Sequence, residues 1–323
     1  MSKINDKKKL VLINIPGSHD SAAFLINKIG SCFAQTQYID ITKQLNLGVR
    51  IFDIRVTKNN SCCAWKIFDN KNNNINNWMD SIICCHGVCD CYHIKNKKKI
   101  NLTYESVLIQ IKNFLNKNPT ETILVRTNSG RGNKYQNIQM ASEIFDSILG
   151  DISIEYNNKL ILGDVRGKVV YLFNNNFQGG TDIFPIHDKY KNGKSNFNEF
   201  KVDGELKVKE IKELLEIYNY TFNEAENNNM KLPLNYETSC TGEYYKIIPL
   251  PEYEANIVNK FLREFEFKKG YYYGWISIDF IDEFITKKII ESNFDENNNE
   301  INENNENIYI NNDSNDNSYI YHV

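Results

Sequence analysis

An irregular TIM-like (β/α)8 barrel in a single domain is the architecture this sequence predicts, and three observations point to it. Short runs rich in β-branched residues recur along almost the whole chain. Amphipathic helical patterns separate several of them, the alternation expected of a parallel sheet wrapped by helices. At 323 residues and 41% hydrophobic content, the chain buries a full-sized core. That length suits one large barrel or two smaller domains, so the alternation makes the choice.

The first strand is read at "VLINI" (11–15), just before a Pro-Gly turn. "RIFDIRV" (50–56) and "SIICC" (81–85) follow, joined by an Asn-rich connection (57–80) that makes the barrel irregular. In "TYESVLIQIKNFLNKNP", Val107, Leu108, Ile111 and Leu115 share one helical face; Thr103 caps the start and Pro119 follows the end. Strand "ETILVRT" (121–127) comes next, then a helix in "MASEIFDSILG" that closes on Gly150 as a C-cap. Strands "KVVYLFN" (168–174), "DIFPIH" (182–187), "LPLNYET" (232–238) and "GWISIDF" (274–280) complete the set. "PEYEANIVNKFLREFEF" and "IDEFITKKIIESN" are the last helices. The barrel is assigned to 1–295, and the Asn- and acid-rich 296–323 to a disordered tail.

A formal net charge of −3 gives no global attraction to nucleic acid or anionic lipid, so any membrane contact has to be local. The basic front of "MSKINDKKKLVLINIPG" precedes too few apolar residues for a secretory signal, which needs roughly 7–15. No run approaches the roughly 18 apolar residues of a membrane span. The adjacent pairs Cys62-Cys63 and Cys84-Cys85 fit reduced thiols, and a cytoplasmic setting is expected. "CCHGVCDC" (84–91) suggests a metal set of Cys85, Cys89, Cys91 and His93, but its spacing matches no familiar pattern and thiols without metal are the default. Tyr271 to Trp275 are read as core, whereas Phe24 and Leu25 are candidates for touching a membrane.

In a barrel of this type the chemistry gathers at the C-terminal ends of the strands. His19 and Asp20 lie just past the first strand, and Asp53 and Arg55, two apart, point the same way. His86 follows the third strand, and Asp279 lies at the end of the last, a neighbour of the first in a closed barrel. Any one such residue is ordinarily a hydrogen-bonded structural group; joint placement at one mouth is what points to catalysis. Adjacent side chains diverge, so His19 and Asp20 are expected to reach different partners.

The segments "IPGSHDS", "QLNLGVRIFDIR", "CHG", "NPTETILV", "RGKVVYL", "HDKY" and "GWISIDFI", in this order, resemble the X-domain phosphatidylinositol-specific phospholipases C in their bacterial, metal-independent branch. The resemblance implies that His19, oriented by Asp279, is the general base for the inositol 2-hydroxyl. It makes His86, assisted by Asp20, the general acid for the diacylglycerol oxygen. Arg55 neutralises the phosphate with Asp53 beside it, in the place a calcium ion takes in other relatives, so neither metal nor cofactor is expected. Asp188 and Tyr190 match positions that contact the inositol ring. Asn128 and Asn174 stand where the family carries a lysine and an arginine, and His187 replaces a glutamine, which opens the headgroup preference. The implied partner is phosphatidylinositol in a membrane, met peripherally and transiently by a monomer, with no nucleic acid.

Overall fold

The computed structural model describes residues 1–27, 31–59, 81–173, 204–217, 219–228, 235–237, 243–244, 248–249 and 251–294. The expected strand at 182–187 and the tail at 296–323 lie outside the described residues, as do Asn174, His187, Asp188, Tyr190, Cys62 and Cys63. The strands are β1 (Ile15–Ser18), β2 (Ile51–Lys58), β3 (Ile82–His86), β4 (Cys89–Asp90), β5 (Tyr92–Lys95), β6 (Lys98–Asn101), β7 (Ile123–Ser129), β8 (Ser153–Glu155) and β9 (Val169–Phe173). After them come β10 (Tyr220–Thr221), β11 (Asn235–Glu237), β12 (Glu243–Tyr244), β13 (Ile248–Pro249), β14 (Tyr271–Tyr272) and β15 (Trp275–Ile278). Helices are α1 (Ser31–Ala34), α2 (Ile41–Leu47), α3 (Tyr104–Lys117), α4 (Lys134–Leu149), α5 (Leu162–Val165), α6 (Gly204–Ile217), α7 (Phe222–Asn227), α8 (Pro251–Glu264) and α9 (Glu283–Glu291).

The central sheet runs β11-β15-β1-β2-β7-β9-β8, parallel throughout. Among the described residues its ends do not join. The predicted adjacency of first and last strands holds, with Ile15 opposite Trp275 and Ser18 opposite Ile278. Alternation along each strand separates two apolar layers. Phe52, Ile54, Ile123, Val125, Val169, Ile276 and Ile278 pack outward with the helices, including Val107, Leu108, Ile111 and Leu115 of α3. Ile15, Ile51, Leu124, Val170 and Trp275 cluster on the other side. On that inner face the next positions along the strands are Asp53 and Arg55, Arg126 and Asn128, Ser277 and then Asp279. The interior thus has an apolar floor, with polar groups above it towards the C-terminal ends.

The sequence reading needs two corrections. Leu10–Leu12 form a 3-10 turn, and β1 begins only at Ile15, so Pro16 and Gly17 belong to the strand and form no turn. Gly17 is required there: an added Cβ would lie 2.6 Å from Ser277 Oγ and 2.9 Å from Ile51 Cβ. The third strand, β3, runs antiparallel to β2, Val56 facing Cys84, and folds back through β4. Antiparallel neighbours need no crossover helix, which suits a 57–80 connection without helical periodicity. Gly150 caps α4, as read from the sequence, in the right-handed conformation (φ −54°), and leads into a 3-10 turn, Gly150–Ile152.

Candidate active site

The six residues assigned to catalysis converge on the polar end of the interior. His19 Nδ1 lies 2.9 Å from Asp279 Oδ1. A carboxylate only accepts, so Nδ1 carries a hydrogen and Nε2 is the basic position of the neutral ring. His86 Nδ1 lies 2.7 Å from the Ala34 carbonyl oxygen, which likewise places a hydrogen on Nδ1. Its Nε2 stands 3.0 Å from Asp20 Oδ2, a partner that accepts from the protonated ring. The two imidazoles meet edge to face, 6.4 Å between centroids. Arg55 bridges the pairs: Nε is 2.7 Å from Asp20 Oδ1 and Nη2 is 3.2 Å from His19 Nε2.

His19 and Asp20 do not diverge. Asp20 has φ +42°, a left-handed conformation that Asp tolerates better than most residues, and its carboxylate comes within 3.4 Å of His19 Nε2. The two side chains still serve separate partners, since His19 Nδ1 belongs to Asp279 and Asp20 to His86 and Arg55. Asp53 stands to one side, 4.0 Å from His19 Nε2, accepting from Asn128 Nδ2 at 3.1 Å with Arg126 Nε at 3.9 Å.

Burial acts against a charge on His19, yet the Asp20 and Asp279 carboxylates outweigh it and raise its pKa to about 10. Burial alone would raise Asp20; Arg55, His86 and His19 together hold it well below the usual carboxylate range. His19, Asp20 and Asp53 form the one group among the described residues whose ligand atoms could gather on a metal. An ion there would have to displace the Arg55 guanidinium from Asp20. The Cys85, Cys89, Cys91 and His93 set does not gather in this way; Cys84, Cys85, Cys89 and Cys91 are all buried and form no disulfide among the described residues.

One segment just after α1 backs the site, and sequence reasoning missed it. Besides Ala34 on His86, Thr36 Oγ1 donates to the Asp20 carbonyl at 3.0 Å, and its own carbonyl accepts from Phe280 N at 2.6 Å. Gln37 is fully buried. Its Nε2 donates to the carbonyls of His19 and Ile278, both at 2.9 Å, while Oε1 accepts from Ile281 N at 3.1 Å. Asn259 of α8 adds a donor to the Asp279 carbonyl at 2.9 Å. Asp20 and Phe280 (φ +50°), the two left-handed residues beside the reacting groups, are thus both held by Thr36. Strain of this kind persists only where the surroundings over-determine it.

No family model matches the chain. A 1-phosphatidylinositol phosphodiesterase of Staphylococcus aureus (strain Newman) is 28% identical over 247 residues, spanning 67% of this chain and 68% of that protein. One from Listeria monocytogenes serovar 1/2a is 29% identical over 184 residues, covering 54% of this chain and 48% of its own length. In three dimensions the phosphatidylinositol-specific phospholipase C of Listeria monocytogenes superposes with a TM-score of 0.64 at 22% identity, over 91% of this chain and 97% of that one. The chain is thus similar in sequence and in fold to the bacterial phosphatidylinositol-specific phospholipases C. It shares their barrel fold, so the open run of described strands is part of a (β/α) barrel.

Two of the residues that depart from the family's pattern, Asn174 and His187, lie outside the described residues together with Asp188 and Tyr190. Asn128 is described and is tied to Asp53 directly beside Arg55, its partner in the β2–β7 register. Of the nearby cations, Arg126 faces Asp53 and Arg131 pairs with Asp90. Tyr272, Tyr273 and Trp275 are core, as read from the sequence. Phe24 is half-buried against that core. No helix among the described residues is long and apolar enough to cross a membrane.

Proposed function

We propose that this protein cleaves phosphatidylinositol, or a glycosylated form of it, by intramolecular attack of the inositol 2-hydroxyl on phosphorus. The observation that carries the reading is two histidines with separate carboxylate partners, His19 with Asp279 and His86 with Asp20, and Arg55 between them. His19 Nε2 takes the 2-hydroxyl proton as O2 bonds to phosphorus. The bond from phosphorus to the glycerol oxygen breaks, and His86 Nε2 gives that oxygen its proton. Diacylglycerol leaves, and inositol 1,2-cyclic phosphate remains. Each proton-transfer group contributes roughly 10²–10⁴ in rate. Arg55 supplies the fixed positive charge for the phosphoryl oxygens, in a site whose low dielectric strengthens it. The names of the curated relatives, 1-phosphatidylinositol phosphodiesterases, support the substrate class.

His19 acts as a base only after losing the proton that Asp20 and Asp279 favour. Catalysis by the free enzyme therefore climbs with pH on its acidic side. Asn128, held by Asp53, offers an amide where the family carries a cation, which favours a headgroup without an additional phosphate at that position.

Phosphorus NMR of the water-soluble product tests substrate, reaction type and roles together. The wild-type chain is expected to release the cyclic ester first, and His19→Ala and His86→Ala each to slow its appearance by about 10²–10⁴. A phosphomonoester formed with no cyclic precursor, or near-normal turnover in either folded variant, defeats the proposal.

A further inference from the structure

The hairpin β5–β6 plays no part in the chemistry above, yet it stands at the rim of the site. Tyr92 N donates to the Leu25 carbonyl at 2.9 Å and Lys99 Nζ to the Ile26 carbonyl at 3.0 Å, so the hairpin is pinned to the segment that follows His19 and Asp20. Its strands pair from Tyr92 opposite Asn101 to Lys95 opposite Lys98. They close on Asn96 and Lys97, both with positive φ (52° and 61°), the two-residue turn whose twist matches a hairpin. Residues 94–100 are all exposed, including Ile94 at 62% and Ile100 at 38%.

The composition of this projection is unlike that of the whole chain. Lys95, Lys97, Lys98 and Lys99 fall within five positions, and 91–104 contains no Asp or Glu, although the chain as a whole has a net charge of −3. Lys95, Lys97 and Lys98 have no ion-pair partner among the described residues. Lys99 lies over the Tyr92 ring, 4.2 Å from its centroid. A folded, solvent-facing element with unneutralised lysines at its tip and two uncovered isoleucines combines the two attractions of an interfacial anchor. Cations meet the anionic headgroup layer, and apolar side chains enter the acyl boundary.

We propose that β5–β6 is a docking element for an anionic lipid bilayer, which holds the mouth against the surface from which substrate is drawn. This rests on the reading that the substrate is a membrane phospholipid. Charge complementarity selects the occupant, and the isoleucines favour a bilayer over a soluble polyanion. The attraction is local, as a chain of net negative charge demands.

The test uses the full chain and vesicles that hold no phosphatidylinositol, so that binding is read apart from catalysis. Sedimentation with phosphatidylcholine vesicles is compared with and without phosphatidylserine, for the wild type and for K95E/K97E/K98E. A lysine near an anionic surface is worth roughly fivefold in affinity, so loss of three positive charges alone lowers binding to anionic vesicles by about a hundredfold, and their reversal to glutamate lowers it at least as far. Turnover of monomeric short-chain phosphatidylinositol should stay unchanged. K95Q/K97Q/K98Q, which adds no repulsion, is expected to show a loss of the same direction, and I94S a smaller loss that added salt does not reproduce. Wild-type binding that ignores phosphatidylserine, or triple variants that bind as the wild type does, overturns the proposal, as does preferential capture by heparin or nucleic acid over vesicles. Failure to turn over the monomeric substrate while vesicle binding persists would instead overturn the proposed function.

Discussion

Replacing Asp279 by Asn removes one charge while leaving shape and an acceptor oxygen in place, and so isolates the electrostatic part of its contact with His19. The carboxylate oxygen is 2.9 Å from Nδ1, both groups are buried, and Asp279 is one of two carboxylates holding the His19 pKa at about 10. At an effective dielectric of 20, unit charges about 4 Å apart interact by roughly 4 kcal/mol, and one pKa unit is about 1.4 kcal/mol. Neutralising Asp279 should therefore lower the His19 pKa by roughly one to three units. Because His19 has to lose its proton to act as base, kcat/KM in the wild type rises with pH up to that pKa. In Asp279→Asn the ascending limb should move to lower pH by the same interval. The plateau should fall by about 10–100-fold as the ring loses its strongest tether. The assay is kcat/KM against pH on a monomeric substrate, since that parameter reports the free enzyme. A lowered plateau with an unmoved limb would show that Asp279 only orients the ring and that the electrostatic argument fails.

Stability should carry the same signature with a definite sign. His19 binds its proton more tightly folded (about 10) than unfolded (6.5), so its contribution is complete below pH 6.5 and is lost as pH rises towards 10. Denaturant midpoints of His19→Gln should consequently decline less across that window than those of the wild type, and parallel curves would contradict it. Arg55→Lys should lose most turnover although charge is retained, because an ammonium cannot reproduce planar contacts to Asp20, His19 and a phosphoryl oxygen together; more than about half the wild-type rate would mean that charge alone suffices. Turnover should survive excess EDTA, since Arg55 already occupies the Asp20 carboxylate, and calcium-reversible loss would refute this. Gln37→Leu should lower kcat well beyond its effect on KM and shift the pH profile, as a positioning residue would; a drop in melting temperature alone would reduce it to a structural role.

The convergence of His19, Asp20, Asp53, Arg55, His86 and Asp279 was legible because strand periodicity and strand ends fix which side chains reach one mouth. Backbone exceptions were not. Nothing in "SHDSAAF" announces that Asp20 turns left-handed, so its approach to His19 Nε2 was hidden. Gln37 and Thr36 escaped for a different reason. They act on main-chain carbonyls and amides, groups every residue carries, so no pattern of side-chain types marks them. The antiparallel course of β3 depends on the connection preceding it, and the composition there indicates only a loop. Helix α6 (Gly204–Ile217), rich in Lys and Glu, was passed over although Val208, Ile211 and Leu215 share one helical face.

The layer of Ile15, Ile51, Leu124, Val170 and Trp275 beneath the ionised groups has a further consequence. With hydrocarbon below, water reaches the Arg55–Asp20–His19 charges from the open side alone. A lipid headgroup entering from that side displaces their one source of screening, and the same charges then act on one another and on the phosphate through a poorer dielectric. The field that acts on the phosphate is already present in the empty protein, where it holds the His19 proton, and arrival of the molecule to be cut strengthens it.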